Sequence, residues 1–175
     1  HINNITTTIS KQEITLLSKW LLKGEKLTKG KLTEKFEKEF SKLIKRKYSI
    51  FVNSGSSANL LIISSLIEGD RLKNKKAVVA GVSWATTVSP FMQLNFDIKL
   101  CDCDEKNLGV DIVHFEYLCK KHKPSIAMVV NVLGHPNHIN KIKKICKKYK
   151  IILIEDSCGA LGTIVNNKQI GTDGV

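Results

Sequence analysis

The sequence predicts a three-layer α/β/α fold built on a mostly parallel sheet. Three observations carry this reading. The chain has 175 residues, 42% of them hydrophobic, enough for one domain with its own core. From Tyr48 onward five short apolar runs recur (SIFVN, AVVAG, IKLC, IAMVVN and IILIE), each the length of a buried strand and several rich in Val and Ile. Between them lie stretches with apolar residues at helical spacing, and strand alternating with helix is the pattern of a sheet covered on both faces.

The first element is a helix over 10–23, SKQEITLLSKWLLK, with Ile14, Leu17 and Leu21 on one side, Ser10 as its opening cap and Gly24 at its end. After the polar connection GEKLTKG, Thr33 is placed to cap a second helix whose Phe36, Phe40, Leu43 and Ile44 fall at i, i+4, i+7 and i+8. Residues 49–53 are the first expected strand. Helices are then expected over 56–67, 86–95, 112–122 and 138–149, each followed by one of the remaining apolar runs. In the last helix Ile139, Ile142, Ile145, Cys146 and Tyr149 form the inward stripe, and lysines fill most of the rest. The N-terminal helices thus occupy 1–47 and the α/β core 48–175, with no internal repeat and no low-complexity linker.

Composition excludes several classes of function. The net charge of +12 invites a nucleic-acid reading, but Arg46 and Arg71 are the only arginines and no basic stripe interleaves with aromatics. No run approaches a membrane span, and HINNITTT lacks the layout of a secretion signal, so the expectation is a cytoplasmic protein without membrane or nucleic-acid partners. Five cysteines inside apolar patterns read as reduced thiols rather than a disulfide framework. His135 and His138, the pair Cys101 and Cys103, and the run DCDEKN all miss the spacing of a zinc or calcium site, so no metal is expected. The chain begins at His1 and closes just after the turn-like NNKQIGTDG, which reads as a segment of a longer protein.

In a sheet of this kind ligands bind beyond the carboxyl ends of the strands. Three such ends carry chemistry. In FVNSGSSANLL, Gly55, Ser56 and Ser57 fall at a helix N-terminus, where free N–H groups, the helix dipole and two hydroxyls suit a phosphate; a plain serine-capped turn is the other reading. In IILIEDSCGALG, Asp156 stands at a strand end, able to bind a metal, serve as acid or base, pair with a protonated ring nitrogen, or cap a turn. In GVSWATTVSP, Trp84 can stack on a planar ligand or belong to the core.

These stretches, in this order, resemble the DegT/StrS family of pyridoxal phosphate (PLP)-dependent sugar aminotransferases, of fold type I. GEKLTKGKLTEKFEKEF is similar to the family's opening pattern, KYSIFVNSGSSANLL to its first strand and phosphate turn, and VLGHPNHINKIKKICKKYKIILIEDSCGALG to the segment that ends in the ring-binding aspartate. The resemblance implies a truncated PLP-binding large domain without its C-terminal small domain. It implies that Gly55, Ser56 and Ser57 hold the cofactor phosphate, Trp84 stacks on the ring and Asp156 pairs with the pyridine nitrogen. Gly159 departs from the family, which commonly carries a larger polar residue there. The Schiff-base lysine is expected beyond the G-T-x-G turn, so no catalytic residue is assigned. The implied activity is transfer of an amino group from an amino-acid donor to a keto-deoxy nucleotide sugar, in a homodimer. Two alternatives stand beside it: removal of a sugar 3-hydroxyl, as in relatives with histidine at the lysine position, and a non-catalytic remnant. The 175-residue segment is expected to be inactive alone.

Overall fold

A computed structural model of the chain describes residues 8–174; His1 to Thr7 and Val175, part of the end segments read above, lie outside it. Its contacts cluster into two units, one made of the stretch up to Lys42 with Lys47–Phe51, the other of Leu43–Arg46 with the chain from Val52 onward.

The first unit is helical. Helix α1 (Lys11–Leu22) is opened by a capping box, in which Ser10 N–H donates to Glu13 Oε2 at 2.6 Å and Glu13 N–H to Ser10 Oγ at 3.2 Å. Gly24, in the left-handed region at φ 67°, stops it. Helix α2 spans Lys31–Leu43. Its first bond runs from Glu34 N–H to the Gly30 carbonyl, which places Thr33 inside the first turn and not at the cap expected for it.

The SIFVN run is not a strand. Residues 48–54 join no strand among the described residues; instead Phe51 N–H donates to Glu37 Oε1 of α2 at 2.8 Å, and Ser41 Oγ to Ser49 Oγ at 3.0 Å. The Phe51 ring meets Phe36 edge-on at 5.3 Å, so its apolar side chain packs on a helix where a sheet neighbour was expected.

The second unit holds the sheet. Strands β1 (Lys76–Ala80), β2 (Asp97–Cys101), β3 (Ile126–Val130) and β4 (Ile152–Asp156) lie in the order β2-β1-β3-β4, every pairing parallel. Helices α3 (Gly55–Glu68), α4 (Ala85–Gln93), α5 (Ile112–His122) and α6 (Ile139–Tyr149) connect them or lead into them. The two-residue period of the strands splits the core. Ala77, Val79, Ile126, Met128 and Ile154 pack with Ile63, Phe91 and Phe96 on the α3–α4 side. Val78, Ala127, Val129 and Leu153 pack with Phe115, Leu118, Ile142 and Ile145 on the α5–α6 side. The result is the three-layer α/β/α architecture, with helices on both faces.

Parallel pairing puts the carboxyl ends of all four strands on one edge, Ala80 level with Cys101 and Val130 with Asp156. Beyond β4 a small hairpin, β5 (Ile164–Val165) with β6 (Lys168–Gln169), turns through Asn166 and Asn167, both at positive φ as the tight two-residue turn requires. Glu155 Oε1 accepts the N–H groups of Asp173 at 2.7 Å and Gly174 at 2.6 Å, and the Asp173 carboxylate binds both Lys143 and Lys168.

Candidate active site

Helix α3 begins where the sequence placed an anion cradle. Ser54 is its N-cap, and its Oγ takes the Ser57 N–H at 3.1 Å. The N–H groups of Gly55 and Ser56 meet no acceptor among the described residues. A Cβ built on Gly55 would touch nothing within 4 Å. The open space is therefore not needed by the protein's own packing, and it lies where backbone donors and the positive end of a 14-residue helix converge. The Ser57 hydroxyl is shared with Ser54 at 3.2 Å, while Ser56 is exposed.

Asp156 ends β4 and is held from three sides. Its Oδ1 accepts the Cys158 N–H at 3.1 Å; its Oδ2 lies 3.3 Å from Asn59 Nδ2 and 3.5 Å from Thr87 Oγ1. Asn59 (7% exposed) and Thr87 (1% exposed) are buried, so these donors fix the carboxylate from below. Asn59 sits three residues beyond Ser56 on α3, about 4.5 Å along the axis. Its Nδ2 also reaches the Thr86 carbonyl at 3.3 Å, two residues beyond Trp84. One buried amide thus ties together the phosphate-type turn, the Trp84 helix and the Asp156 strand.

Trp84 is the N-cap residue of α4 and is 76% exposed. Of the two sequence readings of this indole, packing in the core is excluded; it stands at the rim. Leu133, 81% exposed and at φ 50°, forms an apolar rim element with Gly159 alongside. Asn131 and Ser157, joined at 2.9 Å, brace the loops after β3 and β4. The Cys158 thiol is exposed, yet desolvation and the Asp156 carboxylate push it above its ordinary value, which makes it a poor nucleophile. Cys101 and Cys146 are buried and pushed up to about 12 by burial. His138 Nε2 lies 3.4 Å from Asp104 Oδ2, and among the described residues no group of three His, Cys, Asp or Glu is placed to hold a metal ion.

The structure thus brings the elements of Gly55, Ser56, Ser57, Trp84 and Asp156 to one edge of the sheet. Sequence reasoning did not find Asn59 or Thr87. The signal for Asn59 is present in ANLLIIS, where it shares the inward stripe of an apolar helix with Ile63; a polar group at such a position needs a buried partner. Nothing in the local pattern names Asp156 as that partner, 97 residues away.

A model of the DegT/DnrJ/EryC1/StrS aminotransferase family matches residues 8–175. GDP-4-keto-6-deoxy-D-mannose 3-dehydratase of Yersinia pseudotuberculosis is 34% identical over 158 residues, covering 89% of this chain and 40% of that protein. UDP-4-amino-4,6-dideoxy-N-acetyl-beta-L-altrosamine transaminase of Campylobacter jejuni is 29% identical over 167 residues, 94% of this chain and 43% of that protein. Among solved structures, E. coli GDP-4-keto-6-deoxy-D-mannose-3-dehydratase with bound hydrated PLP matches with a TM-score of 0.87 at 34% identity, over 97% of this chain and 44% of that one. The chain spans less than half the length of each.

Proposed function

The chain belongs to the DegT/DnrJ/EryC1/StrS aminotransferase family, and from that premise we propose that it is the cofactor-holding part of a PLP enzyme that removes the 3-hydroxyl from a 4-keto-6-deoxy nucleotide sugar. The observation that carries the cofactor assignment is that an open helix N-terminus, an exposed indole and a clamped carboxylate stand on three elements, α3, α4 and β4, which the buried amide of Asn59 joins through the Thr86 carbonyl and the Asp156 carboxylate. Dehydration is favoured over amination by the 34% identity to a 3-dehydratase, against 29% for a transaminase. Amino transfer, the activity expected first from sequence, is therefore the second reading, supported by the family model.

The residues fit PLP. The free N–H groups of Gly55 and Ser56, with the Ser56 hydroxyl, would hold a phosphate without a lysine. Trp84 would lie on one face of a planar ring and shield it from water. Asp156, fixed by Asn59, Thr87 and the Cys158 N–H, would accept a hydrogen bond from the N–H of a pyridinium and so keep that nitrogen protonated. Bound PLP with that nitrogen protonated supplies the electron sink for a substrate carbanion. The nucleotide-sugar substrate, an amino-acid donor and a homodimeric assembly belong to this proposal for the whole protein.

PLP titration followed by absorbance tests the cofactor reading: the chain binds, and Asp156→Ala weakens binding at least about tenfold. No binding by the unaltered chain would make it a remnant. Incubating the protein, extended to the length of its relatives, with PLP, glutamate and GDP-4-keto-6-deoxymannose separates the activities. A 3-deoxy product supports the first reading; an aminated sugar replaces it with the second.

A further inference from the structure

Helix α4 contains a proline in its interior, and this proline has a consequence for the site. Pro90 is buried within a nine-residue helix. In an unbroken helix the N–H of residue 90 would occupy the Thr86 carbonyl; proline has no N–H, and its ring pushes that carbonyl away from the helix axis. A carbonyl released in this way needs another donor. That donor is Asn59, whose Nδ2 lies 3.3 Å from Thr86 O.

The same nitrogen lies 3.3 Å from Asp156 Oδ2. An asparagine amide can present either its oxygen or its nitrogen to a neighbour, and only the nitrogen donates. Two acceptors on one side, Thr86 O and Asp156 Oδ2, fix the choice. Without the Thr86 carbonyl one of the two reasons for that orientation is gone, and the amide is held by the carboxylate alone.

We propose that Pro90 and Asn59 are positioning residues: Pro90 releases the Thr86 carbonyl, that carbonyl orients the Asn59 amide, and the amide sets the Asp156 carboxylate for a protonated ring nitrogen. The inference rests on the PLP reading for its last step only. Its first two steps concern this chain's own groups and are testable without ligand.

The test is a double-mutant cycle on Asn59→Leu and Pro90→Ala in the full chain, with two readouts. In the absence of PLP, the side-chain amide protons of Asn59 are followed by NMR. They exchange slowly in the unaltered chain and faster in Pro90→Ala, both measured well below the melting temperature of either protein. With PLP, Asn59→Leu weakens binding about tenfold, as expected for loss of one hydrogen bond to a charged group. It also shifts the absorbance towards the band of the unprotonated ring. Pro90→Ala weakens binding by a smaller factor, and that factor vanishes in the Asn59→Leu background because the two act in series. Equal effects of Pro90→Ala in both backgrounds would overturn the proposal, as would Asn59 amide exchange unchanged by Pro90→Ala. Failure of the unaltered chain to bind PLP sinks the cofactor reading alone, and the exchange measurement still decides the first two steps. Should Asn59→Leu fail to fold, Asn59→Ser serves as the second variant, removing the amide while leaving a small polar side chain.

Discussion

A methyl group placed on Gly55 would meet no atom within 4 Å, and Gly55 is the first residue of α3. Gly55→Ala is therefore expected to leave the folded state unharmed or raise its stability by up to about 1 kcal/mol, since glycine in a helix carries an entropic cost. The same methyl projects into the cradle, so PLP affinity falls. Thermal melting and a PLP titration on one sample separate the two effects, and a parallel loss of both would assign Gly55 to folding instead. At this scale much was readable in advance. The placement of Gly55, Ser56 and Ser57 at a helix start and of Asp156 at a strand end was legible because each sits where an apolar run stops, and that boundary is a one-dimensional feature. Asn59 was not, since its meaning depends on a carboxylate and a carbonyl that only the tertiary fold brings near. The role of Pro90 was hidden for the same reason: a proline signals a missing N–H, but not who takes up the released carbonyl.

Among the elements, α5 occupies the expected 112–122, and α3, α4 and α6 fall within two residues of their expected bounds. Their stripes are long and strongly periodic, and α5 carries its own stop signal in Lys123 at φ 54°. SIFVN failed because an apolar β-prone run specifies an extended backbone without specifying what pairs with it; Glu37 of α2 took the Phe51 N–H that a neighbouring strand would have used. The turn at Asp173 offers an element-scale prediction. Burial pushes its carboxyl up, and the bonds to Lys143 and Lys168 more than offset this, leaving it below its ordinary value of 3.8. A carboxylate depressed on folding contributes stability that is present above the ordinary value and lost as pH falls through the lower folded one. A 13C titration of Asp173 should show a midpoint under 3.8, and Asp173→Asn should remove that part of the pH dependence of melting. A midpoint at or above the ordinary value would mean that the two lysines do not hold this turn in solution.

For the α/β unit as a whole, the sheet separates two cores that share no side chains. Ile63 is fully buried on the α3–α4 side and Ile142 on the α5–α6 side. Ile63→Val and Ile142→Val should each cost about 1 kcal/mol. The double variant should cost their sum within about 0.5 kcal/mol, measured by denaturant unfolding. A marked departure would show strain passing through the sheet. The alternation of strands and helices made the layers legible, and the alternation of side chains within each strand made their two faces legible. The strand order β2-β1-β3-β4 was not. Parallel strands of similar length and composition carry no label for their neighbours, and the order follows from which crossovers fit.

The common direction of the four strands also gives the sheet two unlike ends. The edge holding Ala80, Cys101, Val130 and Asp156 bears all the proposed chemistry, whereas the turns at the opposite edge, such as exposed Asn95 before β2, do none of it. Divergence and engineering therefore face different constraints at the two ends. A fluorescent label or an inserted peptide at Asn95 would report on the chain from the edge opposite the proposed site.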